Sequence, residues 1–167
     1  MEFEKAKVIA CKYLQLLKPF CLRIEIAGSI RRQKANPKDI ELVAIPQKRP
    51  SDLFGDEYQA CPEFVKVVNS WRKIKGEPNG KYTQRALPEG INLDLFVASP
   101  ENWGLIFAIR TGSAEFSHRI LATTWAIKGF KSINGTLYKN NLPIQIREEI
   151  DLFSLLDINF IEPKDRL

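Results

Sequence analysis

Hydrophobic and polar positions recur along the chain with two different periods. Residues 2–18 place apolar side chains every three or four positions, with charged residues between them, which predicts an amphipathic helix that covers one face of a sheet. Elsewhere, short apolar alternations bounded by Gly, Pro and Asn predict strands. The predicted strands are 24–26, 39–45, 71–75, 81–87 and 91–98, with a loop at 47–61 and a small hairpin near 136–138. Further helices are predicted at 63–69, 101–109, 114–128 and 148–156.

The strand predicted at 39–45 carries two carboxylates on one side. Asp39 and Glu41 are two positions apart, and side chains at i and i+2 of a strand point the same way. In the strand predicted at 91–98, Asp94 lies on the side opposite an apolar stripe. If these two strands are neighbours, the three acids converge at one point. Adjacent carboxylates repel each other, and a divalent cation such as Mg²⁺ removes that cost. The alternative is an exposed edge strand whose charges deter aggregation.

A glycine-serine turn with a basic pair precedes the acidic strand. Gly28 and Ser29 would supply backbone N–H groups and a hydroxyl, and Arg31 and Arg32 carry guanidinium groups that suit phosphate. Arg31 has an alternative interpretation, since it also fits as the partner of an acid. A cation site next to a phosphate-binding turn indicates nucleotidyl-transfer chemistry.

Composition changes this picture only slightly. The 25 Lys and Arg residues exceed the 20 Asp and Glu residues, and the net charge of +5 suits an anionic partner, although many unrelated proteins share it. The three cysteines have no metal-type spacing, and their odd number argues against a disulfide framework. No apolar run in the sequence approaches the roughly 20 residues that a membrane-spanning helix needs. We therefore expect a soluble, cytoplasmic and monomeric protein with no membrane partner.

Four sequence blocks resemble the polymerase-beta-like nucleotidyltransferases, and specifically the family X DNA polymerases. In chain order the blocks are Gly28-Ser29-Ile30-Arg31-Arg32 with Asp39-Ile40-Glu41, then Ile91-Asn92-Leu93-Asp94-Leu95-Phe96, then Arg110-Thr111-Gly112-Ser113-Ala114-Glu115-Phe116, and finally Phe160-Ile161-Glu162-Pro163-Lys164-Asp165-Arg166. Four blocks in the right order are more specific than any one of them alone.

The resemblance implies an α+β fold in two parts. Residues 1–100 would form a nucleotidyltransferase palm, with a mixed or antiparallel sheet and helices on one face. Residues 101–167 would form a small α/β C-terminal subdomain that binds the nascent base pair. No N-terminal lyase domain or helix-hairpin-helix element is expected. In this the chain resembles the smallest viral members of the family, and by analogy a viral or phage origin is expected.

The resemblance also implies the residues of the site. Asp39 and Glu41 would bridge two Mg²⁺ ions, for which Mn²⁺ is a substitute, and Asp94 would bind only the ion that activates the 3′-hydroxyl. The implied contacts to the nucleotide come from Gly28, Ser29, Arg32, Arg110, Gly112 and Ser117. The alternatives are a helix-terminal cation for Arg110 and a plain turn for Gly112.

Several positions depart from the family pattern, among them Ser117, where the family commonly has asparagine, and Ile109, where an aromatic residue is frequent. Glu41 stands where family X usually has aspartate, Asn92 where an arginine near the primer backbone is common, and Arg110 where an aromatic residue often packs near the incoming sugar. The candidate contacts to primer phosphates alternate along one predicted strand and are Lys81, Tyr82, Gln84 and Arg85, with a plain polar sheet face as the alternative.

The function that the resemblance implies is template-directed DNA polymerisation. A primer 3′-hydroxyl would attack a nucleoside triphosphate, with pyrophosphate release, to fill short gaps in DNA during repair. The partners would be a primer-template or gapped DNA duplex and the nucleoside triphosphate. Two alternatives stay open, a template-independent nucleotidyltransferase acting on nucleic acid or protein, and a catalytically inactive nucleic-acid-binding module.

Overall fold

The computed structural model describes residues 1–50 and 58–167 of the chain. Its strands are β1 (Cys21–Ile26), β2 (Asp39–Pro46), β3 (Lys48–Pro50), β4 (Tyr58–Ala60), β5 (Arg72–Gly76), β6 (Tyr82–Ala86), β7 (Asn92–Val97), β8 (Lys131–Ile133), β9 (Thr136–Lys139) and β10 (Leu142–Ile144). Its helices are α1 (Phe3–Leu17), α2 (Gly28–Arg31), α3 (Pro62–Asn69), α4 (Trp103–Thr111), α5 (Thr123–Ile127) and α6 (Glu149–Leu155). Short 3-10 turns occupy Lys18–Phe20 and Pro163–Asp165, and a π-helical segment occupies Phe116–Ala122.

A mixed five-stranded sheet forms the centre of the fold, which is α+β as expected. The strand order is β1-β2-β7-β6-β5, in which β2 and β7 are parallel and all other neighbours are antiparallel. The predicted strands are confirmed, with β1 beginning earlier, at Cys21. In the loop predicted at 47–61, the short strands β3 and β4 pair with each other. Residues 51–57 of that predicted loop lie outside the described residues.

One face of the sheet is covered by α1 and α3. The strands turn alternate apolar residues toward these helices, and the buried residues on both sides form one cluster. Its fully buried members include Ala6, Ala10 and Leu17 of α1, Phe64 and Val68 of α3, and Ile40, Leu42, Leu93 and Leu95 of the sheet. The prediction that an N-terminal amphipathic helix covers one sheet face is therefore confirmed. Burial of this apolar surface is the main term that holds the sheet in place.

The opposite face of the sheet has two parts. At the ends of the strands, Val43 and Phe96 pack against Trp103 and Phe107 of α4 in a second buried cluster. At the beginnings of β2 and β7 the same face carries polar side chains, and the short helix α2 contacts β2 there. Of the helices before residue 100, α1 and α3 lie on one face as expected, whereas the short α2 lies against the acidic face. Helix α4, from the region after residue 100, covers the apolar residues that follow the acids along β2 and β7.

The region after residue 100 has its own buried cluster, drawn from residues 105–156. It contains α4, α5, α6 and an antiparallel sheet of order β10-β9-β8. Because these strands are antiparallel, the region is α+β. The prediction of an α/β subdomain for residues 101–167 is wrong in this respect. The division of the chain at residue 100 stays a prediction. No helix in the described part of the chain is both long and apolar enough to cross a membrane.

Candidate active site

The three acids lie on one face of the central sheet. In the parallel register between β2 and β7, Asp39 is opposite Asn92 and Glu41 is opposite Asp94. Directly opposed residues of neighbouring strands point to the same face, so Asp39, Glu41 and Asp94 share one face of the sheet. Their convergence on a metal ion stays a prediction. Within residues 1–50 and 58–167, no three His, Cys, Asp or Glu side chains enclose a metal site by themselves. This is compatible with Mg²⁺, which takes one or two carboxylates and completes its shell with water and substrate phosphate.

The pKa values of Glu41 and Asp39 are raised. Burial raises the pKa of Glu41 to about 7; the charge of Asp39 adds to this rise and the charge of Arg32 opposes it. Burial, followed by the charge of Asp94, also raises the pKa of Asp39. The cations nearby therefore do not compensate the carboxylates fully. Such an arrangement favours a bound cation, which relieves both the repulsion and the loss of hydration.

Gly28 allows the acidic strand and the preceding turn to approach each other. The residue has a positive φ of +61°, and a Cβ at this position would lie 1.6 Å from Oε2 of Glu41. The backbone N–H of Ala27 donates to the carbonyl of Glu41 at 2.9 Å, which fixes the turn against the strand. A residue with a side chain would be strained here and would displace the Glu41 carboxylate. The requirement for glycine at position 28 thus has a structural explanation that does not depend on a bound nucleotide.

A cavity of about 370 Å³ opens beside the acids. Asp39 and Glu41 line one part of it, and the opposite side comes from α2, the loop before β2 and the turn after α4. Its other lining residues are Ser29, Arg32, Lys34, Asn36, Lys38, Gly112, Ser113 and Ala114. Among the described residues, Oγ of Ser29 and Nε of Arg32 are buried polar atoms with no hydrogen-bond partner. Buried polar groups without partners are expensive, so this cavity suits an anionic ligand that accepts hydrogen bonds.

The two adjacent arginines have different partners. Arg31 points away from the cavity and donates to both carboxylate oxygens of Glu149, at 2.8 and 2.6 Å, and to Oγ1 of Thr111 at 2.6 Å. Arg32 lines the cavity and donates to the backbone carbonyl of Thr111. The interpretation of Arg31 as the partner of an acid is the one that the structure supports, and Arg32 is the member of the pair that faces the acids.

Gly112, Arg110 and Ser117 lie near the site but with different orientations. The guanidinium of Arg110 stacks on Phe96 at 4.1 Å; partial burial lowers its pKa, and the charges of Glu41 and Asp94 oppose this. A Cβ on Gly112 would lie 2.5 Å from Phe116, so packing requires glycine there. The Ser117 hydroxyl donates to the carbonyl of Ile109 at 2.9 Å and already has a partner.

The predicted contacts to primer phosphates divide between the two faces of β6. Tyr82 is opposite Phe96, and Gln84 is opposite Asp94, so both are on the face of the acids. Arg85 points to the other face, where it is fully buried and donates to Oδ1 of Asn69 at 3.0 Å. The predicted contact between Arg85 and DNA is therefore wrong, because period-two alternation turns this side chain into the core. Lys81, which precedes β6, is exposed and donates to the carbonyl of Asn134 at 3.2 Å.

Tyr82 has a role that sequence reasoning missed. Its hydroxyl donates to Oδ1 of Asp94 at 2.8 Å, and its ring stacks on Phe96 with centroids 5.0 Å apart. Burial and the bond to Asp94 raise the pKa of Tyr82 to about 12, so the phenol keeps the proton that it donates. The signal was available in the short turn between β6 and β7, since a tight antiparallel connection sets the register of Tyr82 relative to Asp94.

Comparison with known proteins gives a distant relationship to a DNA polymerase. No protein-family model matches the chain. The chain is similar to DNA polymerase IV of Saccharomyces cerevisiae, with 27% identity over 135 residues, or 80% of this chain and 21% of the yeast protein. The chain therefore spans about a fifth of the length of this relative. At this coarse level the similarity supports a distant relationship to a DNA polymerase.

Proposed function

We propose that this protein is a family X type, template-directed DNA polymerase that fills short gaps by nucleotidyl transfer. The observation that carries the proposal is that Asp39, Glu41 and Asp94 share one sheet face. Asp39 and Glu41 also line a cavity at which the Ser29 hydroxyl and Nε of Arg32 have no hydrogen-bond partner within the described part of the chain. The similarity to a yeast DNA polymerase over 80% of the chain supports the same class of reaction. The central sheet would then be the palm of a nucleotidyltransferase.

The residues of this chain have separate tasks in the proposed reaction. Ser29, Arg32 and the backbone around Gly112 hold the triphosphate, since hydroxyl, guanidinium and N–H groups all donate to phosphate oxygens. Asp39, Glu41 and Asp94 would hold two Mg²⁺ ions, or Mn²⁺ in their place, which supply charge stabilisation at the attacking and leaving oxygens. Tyr82 orients Asp94. The primer 3′-hydroxyl releases its proton to solvent and its oxygen bonds to the α-phosphorus, the bond to the bridging oxygen breaks, and pyrophosphate leaves.

Incorporation of one nucleotide opposite each of the four template bases tests the proposal. The assay uses a gapped DNA duplex with Mg²⁺, and compares the wild-type protein with the Asp39→Asn and Asp94→Asn variants. We expect template-matched incorporation that falls at least about 100-fold in both variants, because even small misplacement of a catalytic group has effects of this size. Glu25→Gln is the matched control, since Glu25 is an exposed acid on the neighbouring strand β1 and is expected to leave the rate unchanged.

Other outcomes favour other functions. Incorporation that ignores the template base would favour the template-independent transferase, whose partners include nucleic acid or protein. DNA binding without incorporation in either Mg²⁺ or Mn²⁺ would favour an inactive nucleic-acid-binding module. Full activity in both acid variants would show that the site lies elsewhere.

A further inference from the structure

We infer that Arg72 and Lys75, on the outer strand β5, form a binding surface for the sugar-phosphate backbone of the DNA substrate. The inference rests on the proposed polymerase function, because it assigns this surface to the substrate of the same site. It replaces Arg85, which is buried, with two cations that were not singled out from the sequence.

Strand register places both cations on the face of the catalytic acids. Lys75 is opposite Gln84, Gln84 is opposite Asp94, and Asp94 is opposite Glu41, so one row of side chains crosses four strands. A second row contains Arg72, Ala86, Asn92 and Asp39. Each row therefore begins at an acid on β2 and ends at a cation on β5.

A bulge in β5 brings Lys75 to this face. The register between β5 and β6 shifts between Lys73 and Lys75, so Ile74 is the extra residue. In a regular strand, Lys75 would have followed the alternation to the face of Arg85. Bulges re-aim a side chain in this way and are frequent next to active sites. The position of the Lys75 side chain agrees, because Nζ lies over the ring of Tyr82 at 5.7 Å from its centroid.

The two cations are available to an anionic ligand. Both residues are exposed, and within residues 1–50 and 58–167 neither forms an ion pair with a carboxylate. Lys73, between them in the sequence, points to the other face and pairs with Glu77. The strand therefore keeps its unpaired cations on the face of the acids.

The spacing suits one strand of DNA that leaves the site across the sheet. Neighbouring strands are about 4.8 Å apart, so Lys75 lies two strands, or about 10 Å, from Asp94. Successive nucleotides of one DNA strand advance by about 3.4 Å along the helix axis. A DNA strand whose 3′ end lies at Asp94 would thus bring a phosphate to β5 roughly three nucleotides behind that end. The other explanation, edge-strand cations that prevent sheet-to-sheet pairing, predicts no difference between the two faces.

The salt dependence of DNA binding separates these explanations. Fluorescence anisotropy would give the dissociation constant of a labelled gapped duplex between roughly 50 and 200 mM salt, without nucleotide or Mg²⁺. The variants are Lys75→Gln and Arg72→Gln, and the matched control is Lys73→Gln, on the same strand with the opposite orientation. We expect each site-face variant to reduce the slope of log K against log salt by about 1, as for one lost phosphate contact, and the control to leave it unchanged.

Each other outcome overturns the inference. Equal reductions in all three variants would indicate general surface charge, and no reduction in any variant would place the DNA elsewhere. No DNA binding by the wild-type protein would remove the proposed surface altogether. Failure of the inference and failure of the proposed function are distinguishable, because incorporation is measured separately on the same proteins. Normal incorporation with unchanged slopes removes only the surface, and face-dependent slopes without incorporation remove only the polymerase function. Thermal melting of the variants confirms that these exposed substitutions leave the fold intact.

Discussion

The carboxylate of Glu149 and the carboxylates of Asp39 and Glu41 have opposite surroundings. Glu149 is 7% exposed and is held by Arg31 and by the fully buried Arg166. Burial raises its pKa, but the hydrogen bonds and charges of the two arginines outweigh this and hold the pKa of Glu149 below its usual range. For Asp39 and Glu41, burial and the repulsion of neighbouring carboxylates prevail over the charge of Arg32, and the pKa of both carboxyls is raised.

The difference separates a structural carboxylate from candidate functional ones. Glu149 joins the turn after β1 to α6 and to the end of the chain, and its charge is compensated inside the protein. The acids on the sheet are left with excess negative charge beside a cavity, as expected where a cation or substrate completes the site. The adjacent residues Arg31 and Arg32 divide between the two groups, one serving the fold and the other facing the cavity.

The largest expected effect is a loss of stability when Glu149, the compensated carboxylate, is substituted. Glu149→Gln keeps the shape of the side chain but leaves Arg31 and Arg166 without their common anion. Removing one partner of a buried ion pair typically lowers the free energy of unfolding by about 3–5 kcal/mol. Urea denaturation measures the change. The control is Asp157→Asn, which breaks the exposed pair with Lys128 and is expected to change stability much less than Glu149→Gln does. Equal effects of the two substitutions would contradict the comparison.

A smaller effect is expected at the uncompensated acids when Tyr82 loses its hydroxyl. Tyr82→Phe removes only the hydrogen bond to Asp94 and keeps the stacking on Phe96. A hydrogen bond to a charged group contributes about 1.5–3 kcal/mol, so we expect kcat to fall about tenfold or more while KM for the nucleotide changes little. The weaker orientation of Asp94 should also raise the Mn²⁺ concentration needed for half-saturation, which electron paramagnetic resonance of the protein with Mn²⁺ alone would measure.

Tyr138→Phe is the control for this substitution, since Tyr138 is a half-buried tyrosine on β9, away from the acids. Unchanged kcat and unchanged Mn²⁺ binding in Tyr82→Phe would show that the phenol does not position Asp94.

The smallest expected effect is a pH dependence of stability with opposite signs in the two groups. The folded-state pKa of Glu41 is about 7, above its ordinary value of 4.5, so the folded protein binds more protons between these values. Its contribution therefore makes the metal-free protein less stable as the pH rises from about 5 to 8. Glu149, whose pKa is lowered, stabilises the protein above the ordinary carboxyl range, and this contribution is lost as the pH falls below that range.

Calorimetric Tm values of the wild-type protein and of Glu41→Gln, measured across this pH range without metal, test the sign. We expect the fall above pH 5 to be a few degrees, since about 1 kcal/mol corresponds to 2–4 °C for a chain of this size, and to diminish in Glu41→Gln. Mg²⁺ should raise the Tm more at pH 8 than at pH 6. An identical pH profile in Glu41→Gln would mean that this carboxyl is not strained by its neighbours.

Local patterns predicted much of this protein. The period-two alternation of β2 placed Asp39 and Glu41 on one side, and the same alternation in β7 separated Asp94 from the buried Leu93 and Leu95. The helical period of residues 3–17 identified the face of α1 that packs on the sheet. These features follow from the sequence because side-chain direction within one helix or strand depends only on neighbouring residues.

The tertiary structure alone decided which neighbouring strands met and in which register. Packing decided which face of β6 is buried, so Arg85 lies in the core while Tyr82 faces Asp94, and a bulge turned Lys75 toward the acids. The partner of Arg31 is 118 residues away in the chain. Such pairings depend on how whole elements pack, and a shift of one residue reverses every side chain of a strand. Local sequence thus determined the chemistry available on each strand, and packing determined which of those groups face one another.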